Sequence, residues 1–375
     1  MVFRCAVPPR DSVLSECGVA ARNFWQTIEL SGLHSLLRGK EKVIARMLVT
    51  ATGEKQSLIT RMLSLLTLFL FFSTVQGAAV DPHRRISQYG HTAWRIQDGA
   101  IAPATQIAQT TDGFLWIGTA QGLMRFDGVR FMQWQPPQGQ NLPGTHFTAL
   151  FGSRDGSLWI GTTRGLARWK NGQLRTYTDL EYPASIGAIK EDDSGTIWAT
   201  RYGPFAHEAP LCSISEETLR CFGKKDGVPV SYGLGLTCDR EGNIWFGSSV
   251  LVRWRPGTPP RTYFGEIAEL AKSDGVIDVA LGPSGTAWAS LDAAGPQLGV
   301  QHYSGGKWTS YAVPGFDGAR VRSHALLIDR RGSLWVGTEN DGLYRISGGV
   351  ADHYSVSDGL SGNTVGLLFE DRHHS

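Results

Sequence analysis

One eight-residue stretch recurs along most of this chain, and it constrains the fold more than any other feature. Asp112-Gly113-Phe114-Leu115-Trp116-Ile117-Gly118-Thr119 returns as Asp155-Gly156-Ser157-Leu158-Trp159-Ile160-Gly161-Thr162 and as Arg331-Gly332-Ser333-Leu334-Trp335-Val336-Gly337-Thr338. Looser copies surround Trp198, Trp245 and Trp288. The six tryptophans stand 43, 39, 47, 43 and 47 residues apart, and a glycine precedes each by three positions (Gly113, Gly156, Gly195, Gly242, Gly285, Gly332). A repeat of this length with strand-like content is the mark of a β-propeller blade. The expected fold is all-β, with four-stranded blades, six full repeats and a partial seventh, as in an incomplete seven-bladed ring.

Within the first repeat, Gln106–Thr110 reads as an inner strand. Asp112-Gly113 is expected to form a two-residue hairpin turn, since Asp-Gly suits the positive φ angles of that turn. Phe114–Thr119 is the second strand, Leu123–Phe126 the third and Val129–Trp134 the fourth. Strands of this length with turns at short intervals argue for an all-β domain. The tryptophans are expected to pack between neighbouring sheets, where burial of each contributes roughly 1.5–3 kcal/mol.

Each fourth strand ends in an aromatic: Trp134, Tyr177, Phe222, Tyr263 or Phe264, Tyr311, Tyr354. Asp226-Gly227 follows Phe222 after four residues, and Asp358-Gly359 follows Tyr354 in the same way. Trp94, with Asp98-Gly99 behind it, repeats that pattern ahead of the first blade. His91–Gln97 therefore resembles an outer strand that could complete the last blade. Asn363–Phe369 reads as the inner strand of a seventh repeat, whose glycine and tryptophan do not follow before Ser375. The expectation is a truncated piece of a longer protein; the alternative is a self-sufficient six-bladed ring.

The propeller is assigned to residues 86–375. Residues 1–60 show no repeat and no clean period, and are left uninterpreted as a possible mis-assigned extension, with Met47 or Met62 as the true start. Residues 61–80 read as a secretory signal: Arg61, the apolar Leu63–Val75, then the small-residue site Gly77-Ala78-Ala79. An apolar run of about 13 residues is shorter than the ~20 needed to span hydrocarbon. The expected location is the periplasm or the exterior. Membrane association is expected only through an uncleaved signal or a C-terminal part absent from this sequence.

With 36 Lys+Arg against 34 Asp+Glu and no run of like charge, the chain lacks the basic face that nucleic-acid binding requires. The 10 histidines form no metal-binding spacing, and no phosphate-binding loop or nucleophile elbow is present. No cofactor, metal or catalytic constellation is expected. If Glu216-Glu217 are the centre of a hairpin, Cys212 faces Cys221, and an exported protein can join them as a disulfide. Cys238 reads as a small buried apolar residue.

The pattern Trp94-x3-Asp98-Gly99, Gln109-x2-Asp112-Gly113-Phe114-Leu115-Trp116-Ile117-Gly118-Thr119 and Gly122-Leu123-x2-Phe126-Asp127-Gly128 resembles the two-component regulator propeller repeat. Such repeats form the periplasmic sensor portion of bacterial sensor and hybrid histidine kinases. The resemblance implies a homodimeric receptor, carbohydrate fragments as ligands, and further domains that carry the kinase.

Propeller ligands usually sit on the face made by the loops from second to third strands and between blades. Those loops include Thr162–Gly165, Thr200–Glu208, Ser290–Gly295 and Thr338–Gly342. Their candidate ligand-binding residues are Arg164, Arg201, Tyr202, His207, Asp292, Glu339, Asn340 and Asp341, a set suited to an oligosaccharide or other small polar molecule. The long Thr200–Glu208 loop is the leading functional insertion. A secreted propeller lyase or hydrolase, with His207 beside Tyr202, is one alternative function, and a non-functional fragment another.

Overall fold

The computed structural model describes residues 103–177, 183–268, 270–283 and 285–372. The uninterpreted 1–60, the signal at 61–80, the strand at His91–Gln97 and the pair His373-His374 lie outside the described residues.

Among the described residues six four-stranded antiparallel sheets follow one another, each a simple meander. Blade 1 contains β1 (Ala104–Gln109), β2 (Leu115–Thr119), β3 (Gly122–Phe126) and β4 (Phe131–Trp134). Blade 2 contains β5 (Phe147–Gly152), β6 (Leu158–Thr162), β7 (Gly165–Lys170) and β8 (Gln173–Tyr177). Blade 3 contains β9 (Ser185–Glu191), β10 (Ile197–Tyr202), β11 (Leu211–Ser215) and β12 (Thr218–Phe222). Blade 4 contains β13 (Leu236–Cys238), β14 (Ile244–Gly247), β15 (Leu251–Trp254) and β16 (Arg261–Tyr263). Blade 5 contains β17 (Val276–Leu281), β18 (Ala287–Leu291), β19 (Val300–Ser304) and β20 (Lys307–Ser310). A small hairpin, β21 (Ala312–Val313) with β22 (Phe316–Asp317), leads to blade 6: β23 (Ser323–Ile328), β24 (Leu334–Thr338), β25 (Leu343–Ser347) and β26 (Val350–Tyr354). The first strands of successive blades pack beside one another from β1 through β23.

The turn between first and second strands differs from the two-residue hairpin expected at Asp112-Gly113. Gly113 N donates to Thr110 O at 3.0 Å, and Thr110 N donates to Phe114 O at 3.1 Å. That is a three-residue loop in which only the last residue needs positive φ. Gly113 has φ 90°, while Asp112 is not in the left-handed region. All six blades repeat the bond pair, at Ser153/Ser157, Asp192/Thr196, Asp239/Asn243, Gly282/Thr286 and Asp329/Ser333. The glycine three residues before each tryptophan is the left-handed residue that closes this loop. True two-residue turns lie instead between third and fourth strands: Asn171-Gly172, Glu216-Glu217, Gly305-Gly306 and Gly348-Gly349 all have both φ values positive.

In four blades the residue six before the tryptophan opens the loop and receives the indole N–H. Asp192, Asp239 and Asp329 accept from Trp198, Trp245 and Trp335 at 2.8, 2.9 and 2.9 Å, and Thr110 accepts from Trp116 at 2.9 Å. A ring can be buried while its one polar atom stays bonded, so the apolar gain is not offset by a stranded donor. In blade 5 the position is Gly282, and the Trp288 N–H is buried without a partner. In four blades the residue opposite the tryptophan on the third strand lies near the ring: Arg168, Arg253 and Arg345 stand 5.7, 5.1 and 5.6 Å from their indoles, and the His302 ring lies tilted against Trp288 at 4.9 Å.

Blades meet where each second strand passes the next blade's first strand. A Cβ on Gly118, Gly161, Gly247 or Gly337 would fall within 2.9, 2.8, 2.0 or 2.4 Å of Phe147, Ile186, Val276 or Val365 respectively. Where the repeat carries a hydroxyl instead, it bonds across the same gap: Thr200 to Leu234 O at 2.6 Å and Ser290 to Ser323 O at 2.5 Å.

Residues Asn363–Phe369 do not form the strand expected of them; among the described residues no neighbouring strand offers them a ladder. They nonetheless stand where a further inner strand would begin. Val365 N donates to Thr338 O at 2.8 Å, as Val276 N donates to Ser248 O at 2.7 Å. Glu370 accepts from Arg330 N at 3.1 Å, as Glu191 accepts from Arg154 N at 2.8 Å. Val365 and Leu368 pack with blade 6, whereas Leu367 and Phe369 pack with the Ile107, Leu115 and Phe126 cluster of blade 1. Arg372 N then donates to Gln109 Oε1 at 2.6 Å. The segment thus bridges the sixth blade to the first.

The Asp-Gly pairs that follow Phe222 and Tyr354 also have a local cause. Asp226 and Asp358 accept from Gly223 N and Ser355 N at 3.0 Å each, closing one 3-10 turn that ends at left-handed Gly227 and Gly359.

Candidate functional site

Antiparallel alternation places the loops from second to third strands on the same face as the connections between blades. Backbone bonds tie them together there: Thr163 N to His146 O at 3.2 Å, Asp292 N to Gly275 O at 2.9 Å, and Glu339 N to Arg322 O at 3.0 Å. The sequence-nominated residues separate into three places on this face.

Arg164 and Arg201 come together. Both line a small cleft of about 30 Å³ between blades 2 and 3, walled by Tyr177, Ile186 and the Cys212–Cys221 pair. Arg164 lies in the two-residue loop joining β6 to β7 and is exposed. Arg201 is 7% exposed, and its Nη1 donates to Ala209 O at 3.2 Å. Tyr177 ends β8; its hydroxyl is buried and makes no hydrogen bond. The cysteines face each other across β11 and β12, as the sequence register requires, and their sulfurs are bonded with Cα atoms 3.9 Å apart.

Asp292 and Glu339 come together around a residue that sequence reading did not single out. Arg322, just ahead of β23, donates from Nη2 to Asp292 at 2.5 Å and from Nη1 to Glu339 at 2.8 Å. The hydrogen bond and charge of Asp292, then the Glu339 charge, hold the Arg322 guanidinium above its ordinary range. Asp292 also accepts from Asp274 N at 3.1 Å. This cluster ties blades 5 and 6, and the buried Arg322 Nε makes no hydrogen bond.

Tyr202, His207 and Asn340 join neither group. Tyr202 is the last residue of β10, half-buried, and pairs with Ser185. Because β10 runs to Tyr202, the inserted loop begins at Gly203. His207 turns back on that loop, with Nδ1 2.9 Å from Pro204 O and Nε2 3.3 Å from Glu208. The expected pairing of His207 beside Tyr202 is not made; His207 has its own loop as partner. Asn340 is exposed.

A third grouping was missed as well. Asp341 accepts from the Tyr344 hydroxyl at 2.6 Å, and His353 Nε2 lies 2.6 Å from Asp341 O and stacks on Tyr344 at 4.4 Å. Burial first, then the Asp341 carboxylate, pushes the Tyr344 phenol above its ordinary range. The spacing of Asp341, Tyr344 and His353 fits no motif, so only the β25–β26 register brings them together. Cys238 stays reduced, and burial pushes its thiol up to about 12.

Comparison with known proteins agrees with this architecture. The family model described as two component regulator propeller matches residues 141–164 and 315–340. Each match contains the loop and second-strand region of a repeat or the approach to it. Among solved structures, the extracellular domain of a protein described as a hybrid two component system, BT3049 from B. thetaiotaomicron, aligns with TM-score 0.59 at 16% identity. That alignment covers 75% of this chain and 39% of that one. The corresponding domain of BT4673, from the same organism, aligns with TM-score 0.58 at 19% identity, covering 74% and 37%. Virginiamycin B lyase from Staphylococcus aureus aligns with TM-score 0.53 at 17% identity, covering 67% and 83%. The chain therefore spans about two fifths of the length of the two-component domains it matches. No curated protein matches it in sequence.

Proposed function

We propose that this chain, which carries two-component regulator propeller repeats, is the extracytoplasmic sensor propeller of a two-component receptor. In this reading the loop face binds a small polar ligand, an oligosaccharide being the leading class, and does no chemistry on it. The output is carried by a histidine kinase portion of the receptor, which works as a homodimer. The carrying observation is the repeat-family match within a ring shared with extracellular domains of two-component systems. Supporting it is the loop face, where Arg164 and Arg201 line a cleft walled by a disulfide suited to an oxidising compartment. Under the same reading residues 363–369 hold the place of the inner strand of a seventh blade.

The test has two arms. Sequencing the transcript through Ser375 is expected to find a histidine kinase encoded in the same frame or beside it. Thermal-shift screening of the purified chain against oligosaccharides is expected to find at least one that raises Tm. A transcript with no kinase and a chain indifferent to every glycan would overturn the proposal.

A catalytic reading draws on one observation, the Tyr344–Asp341–His353 cluster in a ring that also resembles a lyase. Consumption of a screened saccharide, lost in Tyr344→Phe, would establish it.

A further inference from the structure

We infer that the cleft between blades 2 and 3 recognises a carboxylate group of the ligand. This rests on the loop face being a ligand-binding face, and it names the chemistry of one part of that face.

Three features of the cleft point to an anion. Two guanidinium-bearing side chains, Arg164 and Arg201, line it, and no carboxylate is among its described lining residues. Arginine presents a planar fork of donors that matches the two oxygens of a carboxylate. The arginines also have different roles. Arg201 is buried and anchored to Ala209 O, so its position is fixed. Arg164 is exposed at the mouth, and its guanidinium makes no hydrogen bond or ion pair among the described residues.

The second, independent feature is Tyr177. Its side chain is 8% exposed, and its hydroxyl is buried with no hydrogen-bond partner. A stranded hydroxyl is unfavourable in a folded protein unless something meets it there. Phenylalanine would serve packing equally well; the outer strand of blade 3 ends in Phe222 at the equivalent place. A ligand oxygen entering the cleft would satisfy the Tyr177 O–H as an acceptor. The third feature is rigidity. The Cys212–Cys221 bridge ties β11 to β12, which form one wall, and Arg201 is held in place by Ala209 O.

The carboxylate could belong to a free small acid or to an acidic sugar, and the probes separate these sources. Galacturonate, galactose and acetate are titrated into the full chain by calorimetry, alongside Arg164→Gln and Tyr177→Phe. Neither variant removes a hydrogen bond of the folded protein made by the altered group, so both are expected to fold, and Tyr177→Phe to match or exceed the parent Tm. Galacturonate is expected to bind at least 10-fold more tightly than galactose, with each variant weakening it at least 5-fold. Acetate binding with the same sensitivity would support the carboxylate site and assign it to free acids.

If galacturonate and acetate both fail to bind, or bind equally well to both variants, the inference is overturned. Galactose or another neutral glycan binding in that case would leave the ligand-binding reading of the face intact. Absence of all binding would remove both.

Discussion

Replacing Asp239 by alanine tests whether the blades are held by the loop-opening carboxylate rather than by the Asp of the Asp-Gly pair. Asp239 accepts from Trp245 Nε1 at 2.9 Å, from Asn243 N at 2.8 Å, from Glu241 N at 3.0 Å and from Arg253 at 3.1 Å. Alanine strands the Trp245 N–H, whose ring is 4% exposed, at a cost of about 1–3 kcal/mol. Loss of the two backbone bonds adds about 1 kcal/mol, because those amides are near solvent and can turn to water. Arg253 keeps Glu241 at 2.6 Å, so its share is small. The sum is about 3 kcal/mol, or a fall in Tm of about 6 °C for a domain of this size. Asp112→Ala is the matched control. Asp112 accepts from Thr110 Oγ1, itself the acceptor for Trp116, and at 3.4 Å from the exposed Phe114 N, so its loss should cost under about 1 kcal/mol. Urea unfolding followed by tryptophan fluorescence measures both. Equal losses in the two variants would refute the assignment, as would a cycle with Trp245→Phe showing no coupling.

Three further outcomes follow from the same geometry. Cys212→Ser should lower stability by about 2.5 kcal/mol through release of a loop with sequence separation 9, and reductant should lower the parent Tm equally while leaving the variant unchanged. Gly247→Ala should cost several kcal/mol, because its Cβ would fall 2.0 Å from Val276 O, whereas Gly172→Ala, with open space around it, should cost about 1 kcal/mol; denaturant midpoints compare the two. The stability gap between the parent and Asp239→Asn should close in acid. Partial burial pushes the Asp239 carboxyl up, but bonds from Trp245, Asn243 and Arg253 outweigh it and hold the group below its ordinary range. A depressed acid contributes stability that is present above the unfolded pKa of about 3.9 and is lost as pH falls through the folded value. Thermal melts from pH 7 to pH 3 should show the gap constant at first and shrinking below about pH 4.

Much of the ring was legible because the repeat exposes it. Trp116 to Trp335 marked every second strand, and the glycine three positions earlier marked every loop. The loop type was not legible, since Asp-Gly fits both a two-residue turn and the last two places of a three-residue loop. Only the bonds around Thr110 and its equivalents decide between them. The carboxylates that receive the indoles, Asp192, Asp239 and Asp329, open the same loop three residues before its glycine, and blade 1 uses Thr110 there instead. Asn363–Phe369 misled because strand-like sequence forms a strand only beside a ladder partner. On the loop face, topology brought Arg164 and Arg201 to one cleft, as nomination by loop could suggest. Arg322 and His353 were hidden because the connections that place them carry no repeated pattern, and His207 failed because its nearest partners are within its own loop.

The central claim, a sensing rather than a catalytic propeller, is tested most directly by mixing the exported, disulfide-intact chain with a panel of neutral and acidic oligosaccharides. Binding is followed by calorimetry and the saccharides by mass spectrometry over the same hours. The account predicts saturable binding of at least one saccharide, which is recovered intact. A saccharide that is cleaved or dehydrated in a manner abolished by Tyr344→Phe would contradict it.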